Sequence, residues 1–212
     1  PVQVSGGLTF SSIAAGPLHV CGVTDDGDLY CWGSGQYGKL GNGSTTGNVN
    51  APVQVLGVGG VGFLTGIAEV APMYSSTCAL HDNGQVVCFG ENSNSQLGSA
   101  GPTTSTPIGV PGVTDAQHLV CNGDGCLARR PDQTWVGWGN NAWRRLGVGA
   151  PDTLSAPVPA AFGFALTDVS LGFASSCGVD GMGGARCWGG TPFGNGVNVR
   201  ALPLITVVSL PN

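Results

Sequence analysis

Cysteines are the residues of this chain whose type and spacing could do chemistry. Three pairs share a spacing of ten positions, with a Gly-bearing segment between the cysteines and an aromatic-Gly step after the second one. The pairs are Cys21 and Cys31, Cys78 and Cys88, and Cys177 and Cys187. Zinc sites favour Cys-x₂₋₄-Cys spacing with two such pairs converging, and cysteines of separate repeats are not expected to meet. We therefore predict disulfides and no metal site.

The ten-residue spacing predicts a β-hairpin whose three-residue loop lies midway between the cysteines. Each copy has glycine at the third loop position, Gly27, Gly84 or Gly183, where such hairpins commonly need a positive φ. The two cysteines then lie directly opposite each other on neighbouring strands, with Cβ atoms about 4.5–5.5 Å apart. A small approach of the strands closes the disulfide.

Two cysteines remain outside this pattern. A fourth, degenerate copy has Gly137 in place of the second cysteine, and it leaves Cys126 with Cys121 five residues before it. Pairing Cys121 with Cys126 makes all eight cysteines disulfide-bonded. Such a chain is expected in an oxidising compartment, which means secreted, periplasmic or at the cell surface.

The chain is organised as four repeats and is predicted to form one all-β domain over residues 1–212. The repeats cover approximately residues 1–51, 52–106, 107–156 and 157–202, with a terminal strand at 203–212. Each contains four short apolar segments separated by Gly-rich turns, which is typical of a propeller blade. We predict a β-propeller of four four-stranded blades with one disulfide-bonded hairpin in each regular blade.

A family resemblance supports this fold. The first repeat reads Pro-Val-x-Val at 1–4, Ala-Ala-Gly at 14–16, His-x-Cys at 19–21, Asp-Gly-x-x-Tyr-Cys-Trp-Gly at 26–33 and Gln-Tyr-Gly-Lys-Leu-Gly at 36–41. This order resembles the regulator of chromosome condensation repeat family, whose best-known fold is a seven-bladed propeller. Four repeats cannot build seven blades, so we expect a closed four-bladed ring, with an incomplete piece of a larger ring as the alternative. The resemblance also implies nucleotide exchange on a small GTPase, but the cysteines and the length argue against it.

The terminal segment adds a seventeenth candidate strand to a ring with sixteen places. It resembles the strand at residues 1–4, so one of the two is surplus. One explanation is ring closure, in which the terminal segment joins the first blade and residues 1–4 lie outside. The other is an unpaired edge strand that binds a neighbouring molecule and builds a head-to-tail filament. The residues of this candidate assembly strand are Pro1, Val2, Val4, Leu204, Ile205 and Val207.

Basic charge is concentrated in the third repeat. Four of the chain's arginines lie there beside an aromatic residue, and together they form a candidate ligand patch of Arg129, Arg130, Trp143, Arg144 and Arg145. Arginine bonds carboxylates in a bidentate manner, and an exposed aromatic can stack on a sugar. The alternative is a solubilising loop with Trp143 packed on its own blade.

Other residues favour structural roles. His19 and His118 occupy comparable places ahead of cysteine strands, which indicates a repeated structural hydrogen bond rather than a catalytic base. The aromatics that recur once per blade are expected in the core; they are Trp32, Phe89, Trp138 and Trp188. Candidate glycosylation sites are the Asn42 sequon and the hydroxyl run Thr103, Thr104, Ser105 and Thr106.

Composition limits the classes of partner. Charged residues make up 9% and the net charge is −5, so there is no basic face for nucleic acid. No apolar run is long enough for membrane insertion. We predict a non-catalytic extracellular module without a cofactor, whose partner is itself or another extracellular protein. A lectin that holds a glycan at Trp143 is the alternative.

Overall fold

The computed structural model describes residues 1–149 and 151–190, and these form four antiparallel sheets in a propeller arrangement. The fold-class prediction is confirmed. The strands are β1 (Phe10–Ala15), β2 (His19–Thr24), β3 (Leu29–Ser34), β4 (Asn48–Gln54), β5 (Ile67–Pro72), β6 (Ser76–His81), β7 (Val86–Gly90), β8 (Thr104–Gly109), β9 (His118–Asn122), β10 (Gly125–Arg129), β11 (Trp135–Asn140), β12 (Thr153–Pro159), β13 (Leu166–Leu171), β14 (Ser175–Asp180) and β15 (Ala185–Gly189). Short 3-10 helices lie at Gln36–Gly38, Val58–Gly60 and Ala142–Arg144.

Each sheet is one blade with its strands in chain order. The blades are β1–β4, β5–β8, β9–β12 and, in the described part of the chain, β13–β15. Because neighbouring strands are antiparallel, the connections after the first and third strands leave each blade at the same end. We call this end the loop face. The hairpins between the second and third strands lie at the opposite end, which we call the hairpin face.

The Pro-apolar segments close blades rather than open them. Pro52, Pro107 and Pro157 were each expected to begin a repeat. They lie instead in β4, β8 and β12, which are the fourth strands of the first, second and third blades. An edge strand suits proline, which has no N–H to donate to a further strand. Residues 1–4 therefore precede the first blade, belong to no strand and are exposed. The other segment of the candidate assembly strand, residues 203–212 with Leu204, Ile205 and Val207, lies outside the described residues. The assembly strand therefore stays a prediction.

The structure contains the four predicted disulfides. Cys21–Cys31, Cys78–Cys88 and Cys177–Cys187 each join directly opposed residues of the second and third strands of a blade. The glycine at the third loop position has φ near +85° in all three hairpins, at +81°, +87° and +84°. In the third blade Cys121–Cys126 joins the first and second strands instead. Leu127 and Gly137 lie opposite each other at the usual cysteine positions of this blade, and Cys126, opposite Trp138, lies on the other face of the sheet.

Three hydrophobic cores lie between consecutive blades, and each contains an aromatic residue from the third strand of the later blade. Phe89 packs on the first blade, Trp138 on the second and Trp188 on the third. In the part of the chain that the structure describes, no core cluster joins the fourth blade to the first. The four blades form an open arc, and the expectation of a closed ring is wrong for these residues.

Trp32 differs from its three equivalents. It is only partly buried and contacts Phe10 of its own blade, with ring centroids 5.6 Å apart. No preceding blade covers it among the described residues. The prediction of a core aromatic holds for Phe89, Trp138 and Trp188 and is wrong for Trp32, because core burial requires a neighbouring sheet as well as an apolar side chain.

Histidines make hydrogen bonds between blades, but not from comparable positions. His19 begins the second strand of its blade and is buried, with Nε2 2.7 Å from Thr77 Oγ1 of the next blade. Burial, with the nearby Lys39 charge, lowers the pKa of His19 to about 4. His118 begins a first strand and is half-buried. Its Nδ1 lies 2.9 Å from Glu69 of the preceding blade and its Nε2 lies 3.7 Å from Asp168 of the following blade.

The His118 contact makes stability depend on pH. The hydrogen bond to Glu69 is the largest cause that raises the pKa of His118; burial and Arg129 oppose it, and the Glu69 and Asp168 charges add to it. A raised pKa in the folded state means that the protonated ring stabilises the fold below the unfolded-state pKa, about 6.5, and that this contribution is lost as pH rises through the folded-state value.

We expect His118→Gln to lower Tm by a few degrees at pH 6 and by less at pH 9, since 1 kcal/mol shifts Tm by roughly 2–4 °C in a chain of this size. Thermal unfolding of both proteins across this range checks it. His81→Gln is the control, because His81 is also half-buried but contacts Asp82 of its own hairpin rather than a carboxylate of another blade. A Tm difference that stays constant with pH would show that the charge of His118 contributes nothing.

Candidate functional site

A loop with an unusual backbone follows the third strand of each of the first three blades. It contains a residue with positive φ that is not glycine: Tyr37 at +63°, Ser95 at +56° and Trp143 at +58°. Such a conformation costs of order 1–3 kcal/mol and is often found at functional positions. A buried leucine follows in each loop at Leu40, Leu97 or Leu146, and it fixes the loop to the core.

The residue before that leucine connects each loop to the next blade. Its backbone carbonyl accepts a hydrogen bond in every case: Lys39 O from Thr77 Oγ1 at 2.8 Å, Gln96 O from Trp138 Nε1 at 3.1 Å, and Arg145 O from Trp188 Nε1 at 2.7 Å. The loops are therefore fixed to the blade interfaces. The side chains at the loop tips are therefore held in defined positions relative to the blades.

Two of these connecting residues are buried cations that hold the following inner loop. Lys39 Nζ donates to the carbonyl of Tyr74 at 3.3 Å. Arg145 donates to the carbonyls of Gly172 at 3.2 Å and Phe173 at 3.4 Å. Burial lowers the pKa of Arg145 to about 10, partly opposed by the charge of Asp124, so the guanidinium is charged at neutral pH. Because the backbone carbonyls point inward to these cations, the chain at Tyr74 and Phe173 is fixed in place.

The result is a set of exposed aromatic side chains on the loop face. Tyr37 and Trp143 stand on outer loops, while Tyr74 and Phe173 stand on the inner loops of the blades that follow. Their exposed fractions are 48%, 45%, 56% and 76%. Trp143 and Phe173 contact each other, with ring centroids 6.0 Å apart. We call these four residues the aromatic loop face.

The candidate ligand patch is divided by the fold. Arg145 is buried, and Arg144 forms an ion pair with Asp152 on the loop-face side. Arg129 and Arg130 lie at the other end of β10, toward the hairpin face. There Arg129 donates to Thr167 O at 2.8 Å and Arg130 donates to Gly112 O at 3.0 Å. The structure does not bring the five residues into one site.

Sequence reasoning found Trp143 but missed Tyr37, Tyr74 and Phe173 as surface residues. A signal was present for two of them, because Tyr74 and Phe173 lie at equivalent places of two repeats, each four residues before the first cysteine of its pair and followed by small residues. An isolated aromatic in a small polar loop has little neighbouring chain to bury it. The part played by Lys39 and Arg145 had no such signal, since their acceptors in the inner loops lie 27–35 positions away.

Cysteines of separate repeats do meet. Cys126 Sγ lies 3.7 Å from Cys78 Sγ and 3.8 Å from Met73 Sδ, in the core between the second and third blades. The expectation that cysteines of separate repeats do not meet is wrong for Cys78 and Cys126. Both sulfurs belong to disulfides, and they pack as polarizable apolar atoms rather than as thiolate ligands.

The candidate glycosylation residues lie near the outer rim of the loop face. Asn42 is half-buried, and its Oδ1 accepts a hydrogen bond from Ser44 N–H at 3.2 Å. Thr103 is exposed, while Thr104, Ser105 and Thr106 are half-buried in β8. Their modification stays a prediction. Among the residues described, no helix is long and apolar enough to cross a membrane.

Comparison with known proteins identifies the repeats. Two family models of the regulator of chromosome condensation (RCC1) repeat match, one at residues 10–39 and 74–96 and the other at residues 26–80. The ultraviolet-B receptor UVR8 of Arabidopsis thaliana is 28% identical over 193 residues, which cover 89% of this chain and 43% of that protein. The chain therefore spans less than half the length of this relative.

Solved structures agree with the propeller fold. Human WBSCR16 superposes with a TM-score of 0.82 at 21% identity, over 98% of this chain and 55% of that chain. Prp20p of Saccharomyces cerevisiae superposes with a TM-score of 0.71 at 18% identity, over 98% of this chain and 51% of that chain. The four blades are thus arranged like consecutive blades of a longer propeller.

We expect Arg145→Met to lower the free energy of unfolding by about 2 kcal/mol or more, because charge-assisted hydrogen bonds to several buried carbonyls are lost. Arg144→Met, one position earlier and on the surface, should change it by less than about 1 kcal/mol. Urea denaturation followed by tryptophan fluorescence measures both. Equal effects of the two substitutions would mean that Arg145 does not hold the loop.

Proposed function

We propose that this chain, which carries RCC1 repeats and folds as consecutive blades of their propeller, is an extracellular interaction module that binds a protein through the aromatic loop face. The observation that carries the proposal is the set of exposed aromatics fixed on loops by buried Lys39 and Arg145. Tyr and Trp are enriched among the residues that dominate binding energy at protein interfaces. Loops that are already ordered lose little conformational entropy on binding, which favours affinity.

The shape of the surface favours a protein over a small ligand. Small-molecule sites are concave and enclose most of the ligand. Beside Tyr37 the described surface has an open groove of about 470 Å³, lined by Gln36, Tyr37, Thr45 and Thr103. Tyr37 is the aromatic ring in this lining, and an open groove with an exposed ring suits a broad contact area. Prp20p, a structural neighbour, is described as binding Gsp1p and histones, so propellers of this fold do bind proteins.

The disulfides support the extracellular part of the proposal. All eight cysteines of the chain are paired in four bonds, and a thiol-buffered cytosol would reduce such bonds. Each bond also stabilises the blade by constraining the unfolded chain, typically by about 2–4 kcal/mol. A low-charge surface kept rigid in this way suits display outside the cell.

Neither alternative function is favoured by an observation. A glycan site at Trp143 with the arginines loses its basis, because Arg145 is buried and Arg129 and Arg130 lie toward the other face. Nucleotide exchange rests on the family name alone. We propose a binding role without catalysis.

The experiment uses the intact chain, labelled with biotin, on cells and shed material of the native source. Binding is measured against concentration. We expect Tyr74→Ala and Phe173→Ala each to weaken binding by roughly 30-fold, the equivalent of a 2 kcal/mol contribution from a dominant interface residue. Met182→Ala is the control, since Met182 is 90% exposed on the hairpin face.

A photo-crosslinking residue at position 74 should capture a partner, whereas the same residue at position 182 should not. Variant folding is checked by thermal unfolding, because these side chains are exposed and their loss should leave Tm unchanged. Wild-type affinity in both loop-face variants would contradict the proposal.

A further inference from the structure

In the part of the chain that the structure describes, the two ends of the arc each present a broad sheet face on which no other blade packs. On the first blade this face consists of Phe10, Ile13, Tyr30 and Trp32, which we call the first-blade face. Phe10 lies against Tyr30 and Trp32, with ring centroids 6.4 and 5.6 Å away. Ile13 is 56% exposed. An apolar surface of this kind is unusual for a side of a sheet that stays in water.

The interfaces between consecutive blades show which surface packs on a face of this type. In the second blade, strand pairing places Ile67, Val70, Val87 and Phe89 at the positions equivalent to the first-blade face. All four pack in the core against the first blade. In the fourth blade, Leu166, Val169 and Trp188 occupy three of these positions and pack against the third blade.

The other type of face, which in the first three blades packs on the following blade, has no blade against it on the fourth blade among the described residues. In the first blade, the face toward the second blade carries Cys21, Val23, Leu29 and Cys31, each at most 2% exposed. The equivalent positions of the fourth blade are Cys177, Val179, Ala185 and Cys187, which we call the fourth-blade face. Val179 is 40% exposed, and Cys177 and Ala185 are also exposed.

We propose that the first-blade face of one molecule binds the fourth-blade face of a second copy, blade against blade. Every internal interface joins one face of each type, and the residues that the structure describes leave one of each type uncovered. None of the eight residues is charged, and the carboxylate beside them is Asp168, which pairs with Val179 across the strands. The superposition on WBSCR16, which uses nearly all of this chain and about half of that one, shows that this arrangement of blades is compatible with further blades.

This contact is distinct from the aromatic loop face, and it needs no strand exchange. It is heterologous, so copies close into a ring if their rotations sum to a full turn and otherwise continue as a filament. Residues 1–4 and the segment at 203–212 are not required. The proposal therefore differs from association through a spare terminal strand.

Sedimentation velocity over a concentration series into the micromolar range tests the proposal with the full chain. We expect the wild type to associate, and we expect Trp32→Glu and Val179→Glu each to stop association. Each variant keeps one intact face. A mixture of the two should form a one-to-one dimer that does not grow, because the intact fourth-blade face of Trp32→Glu meets the intact first-blade face of Val179→Glu.

Three controls separate this outcome from others. Met182→Glu on the hairpin face and Phe173→Ala on the loop face should both associate like the wild type. Loss of self-association can therefore be distinguished from loss of partner binding through the aromatic loop face. Ile13→Glu, at a more exposed position, replaces Trp32→Glu if that variant does not fold. A wild type that stays monomeric, association that survives both variants, or a mixture that stays monomeric would each overturn the proposal.

Discussion

The structure depends on one interaction, the packing of each blade's apolar face on the blade before it. A blade of this chain has two largely apolar faces, and water is excluded from them only when sheets stack. Phe89, Trp138 and Trp188 each fill one interface, and each interface also carries a hydrogen bond to a loop carbonyl. Repeats stabilised in this way are ordered by their neighbours, and the ends of the stack are the weak points.

The loop face follows from the same constraint. Because the carbonyls of Lys39, Gln96 and Arg145 are bonded to the next blade, the outer loops cannot move independently of the core. The buried cations then order the inner loops. Aromatic side chains that would otherwise be mobile in glycine-rich segments become fixed features of the surface. A fold whose described part is built from strands, with few charges, thereby gains an apolar binding face.

Local features were predictable from the sequence, because they depend on residues close in the chain. The ten-residue cysteine spacing with Gly27, Gly84 and Gly183 predicted the hairpins, their disulfides and the propeller fold. Blade boundaries were shifted by one strand, since proline is equally suited to the start of a strand and to an edge. Ring closure was not predictable: the described residues form an open arc, and the angle between sheets that decides closure is not set by any local residue pattern. The burial of Arg145 depends on carbonyls of the next blade and had no local sign.

The most direct test of the stacked open arc is hydroxyl-radical footprinting of the five tryptophans in dilute, monomeric protein, read by mass spectrometry. We expect rapid oxidation of Trp143 and measurable oxidation of Trp32. The buried tryptophans should be protected; they are Trp135, Trp138 and Trp188. Protection of Trp32 to the level of Trp138 in a monomer would mean that the fourth blade covers the first. That result would contradict the open arc and the uncovered faces at its ends.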